Sequence, residues 1–162
     1  DMSERTLREV YLPPFKAAVD AGVGTFMSAF NDLNGVPTSG NPFTLTKILR
    51  GEWKFDGFVV SDYESVREMM NHGYAANESE AARLGLSAGV DMEMVSRLYN
   101  QHGARLVQER KLKLAEIDEA VRRVFLENMH MLKTPPSLFH PRVSLRVRCP
   151  LRFRERAVEN RP

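Results

Sequence analysis

Apolar residues along this chain fall into short clusters whose spacing switches between helical and extended periods. Over residues 3–21, Leu7, Val10, Tyr11, Phe15, Ala18 and Val19 recur at helical spacing behind Ser3, a good N-cap type. Pro13 and Pro14 predict a kink or a restart there, and Gly22 a stop. Residues 24–30 predict a strand, and Asn34-Gly35 after it a turn that by itself could close a hairpin. Beyond Pro37 the pattern reads as a loop, then a helix capped by Thr44 with Leu45, Ile48, Leu49 and Trp53 on one stripe. Phe58, Val59 and Val60 form an unbroken apolar run after Gly57, the pattern of a strand buried on both faces. A helix over 63–72 follows, with Val66, Met69 and Met70 inward, then a second over 78–88 ended by Gly89. Residues 90–94 predict another strand, Ser96 a cap for the next helix, and residues 114–126 a last helix.

Strands alternating with helices through short links predict an α/β architecture with parallel strands and flanking helices. Three strands cannot close a barrel alone, and 162 residues fall short of the roughly 250 of a complete eight-stranded one. The expected fold is therefore a partial TIM-type (β/α) barrel, incomplete as a single chain.

Charge changes the picture only at the end. The net charge of +2 hides a mildly acidic body over 1–125, with 15 Lys or Arg against 18 Asp or Glu. Residues 126–162 carry 8 against 3, with helix-breaking prolines and an Arg/apolar alternation over 143–153. A divergent basic tail over 128–162, irregular or disordered, is expected from that composition. The body offers no basic face for nucleic acid, and no apolar run is long enough to cross a bilayer. One cysteine, Cys149, excludes an internal disulfide framework.

The candidate chemistry sits at Asp62. A carboxylate leaving a buried strand suits the carboxyl end of a barrel, where catalytic groups project. It equally suits the N-cap of the helix that follows. The residues alone leave both open.

Five stretches taken in order resolve the pattern further: RTLREVYLPPF (5–15), MSAFNDLNG (27–35), GFVVSDY (57–63), AGVDM (88–92) and IDEAVRR (117–123). Together they resemble the catalytic barrel of glycoside hydrolase family 3, which contains many β-glucosidases and β-xylosidases. The resemblance implies that residues 1–127 form the later half of that barrel. It implies that Asp62 is the nucleophile of a retaining mechanism and forms a covalent glycosyl-enzyme. It implies that Tyr63 lines the sugar subsite, and that Phe30 stands where many members carry a Tyr hydroxyl. Met27 is a further substrate-contact candidate, though its position suits core packing as well. Asp91, at another expected strand exit, reads as structural. Glu64 and Glu93 do not match the family's acid/base residue, which with most sugar-binding groups is expected outside this chain.

The expected substrate is a β-linked glucoside or oligosaccharide, with no cofactor and no metal, since two carboxyl groups suffice. This chain alone is expected to be inactive or very weak. Asp1 opens the sequence without a signal peptide, and the resemblance places the true N-terminus upstream, so localisation is unreadable. The competing reading is a non-catalytic half-barrel that associates with itself or a complementary chain through exposed barrel edges. A phosphate-binding α/β module is excluded, because no Gly-rich cradle follows any strand.

Overall fold

The computed structural model describes residues 1–133. Among these, five strands form: β1 (Thr25–Ser28), β2 (Asp32–Leu33), β3 (Val36–Pro37), β4 (Phe58–Tyr63) and β5 (Met92–Met94). β1, β4 and β5 make a parallel sheet in the order β1-β4-β5, and β2 pairs antiparallel with β3. The helices are α1 (Glu4–Thr6), α2 (Pro13–Asp20), α3 (Ser65–Glu68), α4 (Glu78–Ala88), α5 (Leu98–Gln108) and α6 (Leu114–Lys133). Two further stretches, Leu7–Tyr11 and Phe43–Glu52, are wound wider as π-helix. The amide of Leu12 donates to Leu7 O at 2.9 Å, and that of Trp53 to Ile48 O at 3.0 Å.

The sheet is built as its apolar run predicts. Val59 is fully buried, packed with Val66, Met69, Ala81, Ala82, Val90 and Leu98 in one core between strands and helices. Gly57 is required by close approach, since a Cβ there would lie 2.0 Å from the carbonyl oxygen of Gly24. The alternation of a strand puts the next row on the other face. That row is Met27, Val60 and Met92, in register across the three strands. Met27 and Met92 are 52% and 46% exposed, because the barrel is not closed and nothing described covers its inner face. The fold is an open α/β strip of parallel strands and flanking helices.

Several local expectations change. Ser3 does cap α1, accepting from the Thr6 amide at 3.1 Å, but Val10, Tyr11 and Phe15 on the expected inner stripe are exposed. Asn34 (φ 51°) and Gly35 (φ 79°) do close a hairpin, because two positive φ values give the turn the strands' own twist. Asn41, not Thr44, caps the π-helix: its Oδ1 accepts from Phe43 N at 3.0 Å and Thr44 N at 3.4 Å. Ser96 does not cap α5 either. It donates to Glu93 Oε2 at 2.6 Å, while Glu93 Oε1 accepts the Tyr99 amide at 2.7 Å. α3 spans one turn rather than 63–72, and α6 runs on past residue 126 to Lys133. The Arg/apolar alternation over 143–153 lies outside the described residues.

Candidate active site

Asp62 stands at the carboxyl end of the middle strand, on a β-bulge. Val60 pairs with Met92 and Tyr63 with Met94, so β4 carries one residue more than β5 between those pairs. Bulges kink a strand, re-aim side chains and are frequent beside active sites. Ser61 anchors this one. Its side chain is buried, its Oγ donates to Asp62 O at 2.9 Å, and it accepts the Met94 amide at 2.7 Å. Glu64 N then donates to Met94 O at 3.1 Å from a left-handed backbone (φ 54°).

The helix-cap alternative for Asp62 fails on this geometry. α3 begins at Ser65 behind Glu64, without a side-chain cap. Asp62 is half-buried and its Oδ1 accepts the Tyr63 amide at 2.6 Å. Among the described residues, Oδ2 takes no hydrogen bond. Asp62 lines neither of the two larger cavities, of about 540 and 490 Å³, which flank the sheet on its β1 and α6 sides. A strip of three strands supplies one wall of a barrel mouth and leaves the facing wall open.

Tyr63 is 58% exposed beside Asp62. Ser28 pairs with Ser61, so Phe30 leaves β1 at the level of Tyr63 one strand away, partly exposed and without a hydroxyl to offer Asp62. Met27 lines the 540 Å³ cavity with Tyr11 and Phe15. The sheet thus brings Asp62, Tyr63 and Phe30 to one end, and sets Met27 lower on β1. Glu64 lies 3.8 Å from Arg67, and Glu93 accepts from Ser96 Oγ and from the Tyr99 amide of α5.

Three buried serines lie beside this exit, and no sequence pattern flagged them. Ser39 Oγ, in the turn Thr38–Gly40, is 2.8 Å from Ser28 Oγ and 2.7 Å from Ser65 Oγ. Ser28 and Ser61 could have been noticed as polar residues at buried strand positions, whereas Ser39 gives no signal.

Asp91 is not at a strand exit. It precedes β5 at the opposite end of the sheet, where Oδ2 accepts the Val59 amide at 2.8 Å and binds Arg50 at 2.5 Å. Arg123 of α6 reaches Oδ1 at 2.8 Å. Burial pushes the carboxyl's pKa up, against the pull of Arg50, the Val59 amide and Arg123. This cluster ties β4 and β5 to α6 and the π-helix at the end of a barrel where residues serve stability.

Parallel strands with helices around them and a carboxylate on a bulge at the strand exits define a piece of a (β/α)-barrel domain of the kind enzymes use. Comparison with known proteins narrows the class. The model of the glycosyl hydrolase family 3 N-terminal domain matches residues 1–126, and the chain belongs to that family. It is 40% identical over 146 residues to a periplasmic beta-glucosidase of Salmonella typhimurium, covering 89% of this chain and 19% of that protein. It is 58% identical over 97 residues to a beta-xylosidase of Formosa agariphila, covering 59% of this chain and 13% of the relative. The beta-glucosidase of Listeria innocua in complex with glucose superposes with a TM-score of 0.78 at 41% identity, over 79% of this chain and 18% of that one. The same enzyme has been solved as a mutant with laminaribiose, at a TM-score of 0.78. The chain spans under a fifth of the length of these relatives.

Proposed function

We propose that this chain is the nucleophile-bearing part of a retaining β-glucosidase-like hydrolase, the later half of its catalytic barrel over residues 1–127 followed by a divergent tail over 128–162. The observation that carries the reading is the bulge of β4, which sets Asp62 at the strand exit with one carboxylate oxygen held by the Tyr63 amide and the other, among the described residues, without a hydrogen bond. Oδ2 attacks the anomeric carbon while an acid from outside this chain, ~5–5.5 Å away, protonates the leaving oxygen. Water then opens the glycosyl-enzyme, with the same outside residue acting as base. Two carboxyl groups complete the cycle without a cofactor or metal. Tyr63 offers an aromatic face to the pyranose and Phe30 bounds the same subsite from β1, with Met27, lower on that strand, a further contact candidate beneath it.

Trapping tests it. The full-length product of this reading frame, incubated with a 2-deoxy-2-fluoro-β-glucosyl or β-xylosyl fluoride, should gain one sugar mass on the peptide containing Asp62. The Asp62→Asn variant should gain none. The preferred sugar distinguishes the two activities for which the relatives are named. A sugar attached to another residue in the unaltered protein would overturn the assignment. The chain of 162 residues by itself should turn over substrate at least ~10²-fold more slowly, since it lacks general-acid help.

The second reading, a half-barrel that associates with itself, is favoured by one observation. Apolar side chains line both flanks of the open sheet, with Tyr11, Phe15 and Met27 toward β1 and Met92, Val121 and Phe125 toward α6.

A further inference from the structure

The turn after β4 is pinned at both of its ends by serine hydroxyls. On the β5 side, Ser61 Oγ holds the Met94 amide and the Asp62 carbonyl. On the β1 side, Ser65, the first residue of α3, reaches Ser39, and Ser39 reaches Ser28 at the end of β1. Ser28, Ser39 and Ser65 are 2%, 1% and 4% exposed. A buried hydroxyl without a partner is costly, so a chain of three in a region of close packing has to be fully satisfied. Each has a partner: Ser39 Oγ lies 2.8 Å from Ser28 Oγ and 2.7 Å from Ser65 Oγ, either hydroxyl of each pair being able to donate, and 3.5 Å from Ala29 O.

Location gives the chain a purpose beyond packing. Its three members come from the exit of β1, the loop after the hairpin and the start of α3. Those are separate pieces of backbone on one side of residues 62–64. Asp62 lies between Ser61 and Ser65, and among the described residues its side chain takes a hydrogen bond from the next amide alone. The β1–β4 ladder ends at Ser28↔Ser61, and the serine chain carries the link between β1 and the start of α3 past that point. Catalytic groups have to be held within about half an ångström of the productive geometry by the shell around them.

We infer that Ser28, Ser39 and Ser65 are positioning residues that set the attack geometry of Asp62 through the backbone of its turn, with Ser39 the keystone. Ser39→Ala takes the shared partner from both Ser28 and Ser65, whereas after Ser28→Ala or Ser65→Ala the Ser39 hydroxyl keeps its other serine partner. The inference rests on Asp62 being the nucleophile.

The test uses the full-length protein and the rate of inactivation by the fluoro-sugar, which reads the attack step directly. Ser39→Ala should lower that rate and kcat by about 10- to 100-fold, as misplacements near 1 Å do, with KM moving less than about threefold. The double variant Ser28→Ala with Ser65→Ala should match Ser39→Ala rather than multiply the single effects, because the three act as one unit. Ile48→Val, a destabilising change at a buried core residue that is not one of the three serines, controls for destabilisation and should leave the inactivation rate unaltered. A labelling rate in Ser39→Ala equal to that of the unaltered protein would overturn the positioning role while leaving Asp62 in place. Absence of label on Asp62 in the unaltered protein would instead remove the nucleophile, and this role with it. Folding failure of Ser39→Ala is met by Ser65→Ala alone, for which a smaller fall in rate with unchanged KM is expected and an unchanged rate overturns the inference.

Discussion

At Asp91, two guanidinium groups and one backbone amide converge on a side chain that is 2% exposed. Arg50 also donates to Gly57 O at 2.9 Å, so the cluster fixes the entry of β4 as well as of β5. Removing the charge while keeping the shape, as Asp91→Asn does, leaves two partly buried cations facing each other. Breaking a buried pair from one side costs about 3–5 kcal/mol, and denaturant unfolding should show a stability lower by that amount, seen as a lower midpoint with an unchanged slope. A change under 1 kcal/mol would mean that solvent reaches the cluster. Asp91 and Asp62 read alike in the sequence, as acids beside short apolar runs. The structure separates them by which end of the strand each occupies, and that could not be read because β5 starts two residues later than its apolar pattern does. Ser39 was illegible for another reason: a serine in a loop is the expected residue there, and its partners lie 11 and 26 positions away.

Elements followed the pattern where burial sets it and departed where it does not. β1, β4, α4, α5 and α6 were legible because each has a buried face and a clear period. The apolar stripe over Phe43–Glu52 predicts a helix without fixing its winding, since one stripe serves an α-helix or a π-helix. Thr44 and Ser96 are good cap types, but the amides at the helix starts are taken instead by Asn41 and Glu93, which reach in from outside the helices they serve. α6 carries its own pH sensitivity. Glu119 accepts two bonds from Arg122, at 2.6 and 2.7 Å, and lies 3.0 Å from Arg123. The Arg122 hydrogen bonds, helped by the charges of Arg123 and Arg50, bring its carboxyl from 4.5 to about 2. Between those values the unfolded chain binds the proton and the folded one does not, so stability rises with pH there. The contribution is complete above about 4.5 and lost as pH falls through about 2. Glu119→Gln should flatten that part of the stability profile, measured by thermal melts from pH 2 to 6, and leave its shape above pH 6 unaltered. An identical acid limb in both proteins would show that the pair is screened by water.

For the whole molecule, the open sheet sets the behaviour of the isolated chain. β1 and β5 are each paired on one side only, so each presents a free edge among the described residues. Unprotected edges recruit other strands, and here both are flanked by exposed rings or aliphatic groups: Phe15 at 49% and Met27 beside β1, and Val121 at 62% and Phe125 at 63% on the β5 side. The two flanks are different surfaces. A contact between them is therefore head-to-tail, and such contacts close into a ring only if the rotation allows. Three strands per copy do not divide the eight of a closed barrel, so copies joined edge to edge should yield a spread of sizes rather than a discrete dimer. Sedimentation velocity on the 162-residue chain at micromolar concentration should show a mass that grows with concentration. Val121→Lys with Phe125→Lys should move it toward the monomer while leaving the thermal midpoint nearly unchanged, because both side chains are exposed and little core packing is lost. The full-length protein, in which the remaining barrel would cover both flanks, should sediment without that dependence. A chain that stays a folded monomer at every concentration would remove the self-associating reading and leave the hydrolase reading standing by itself.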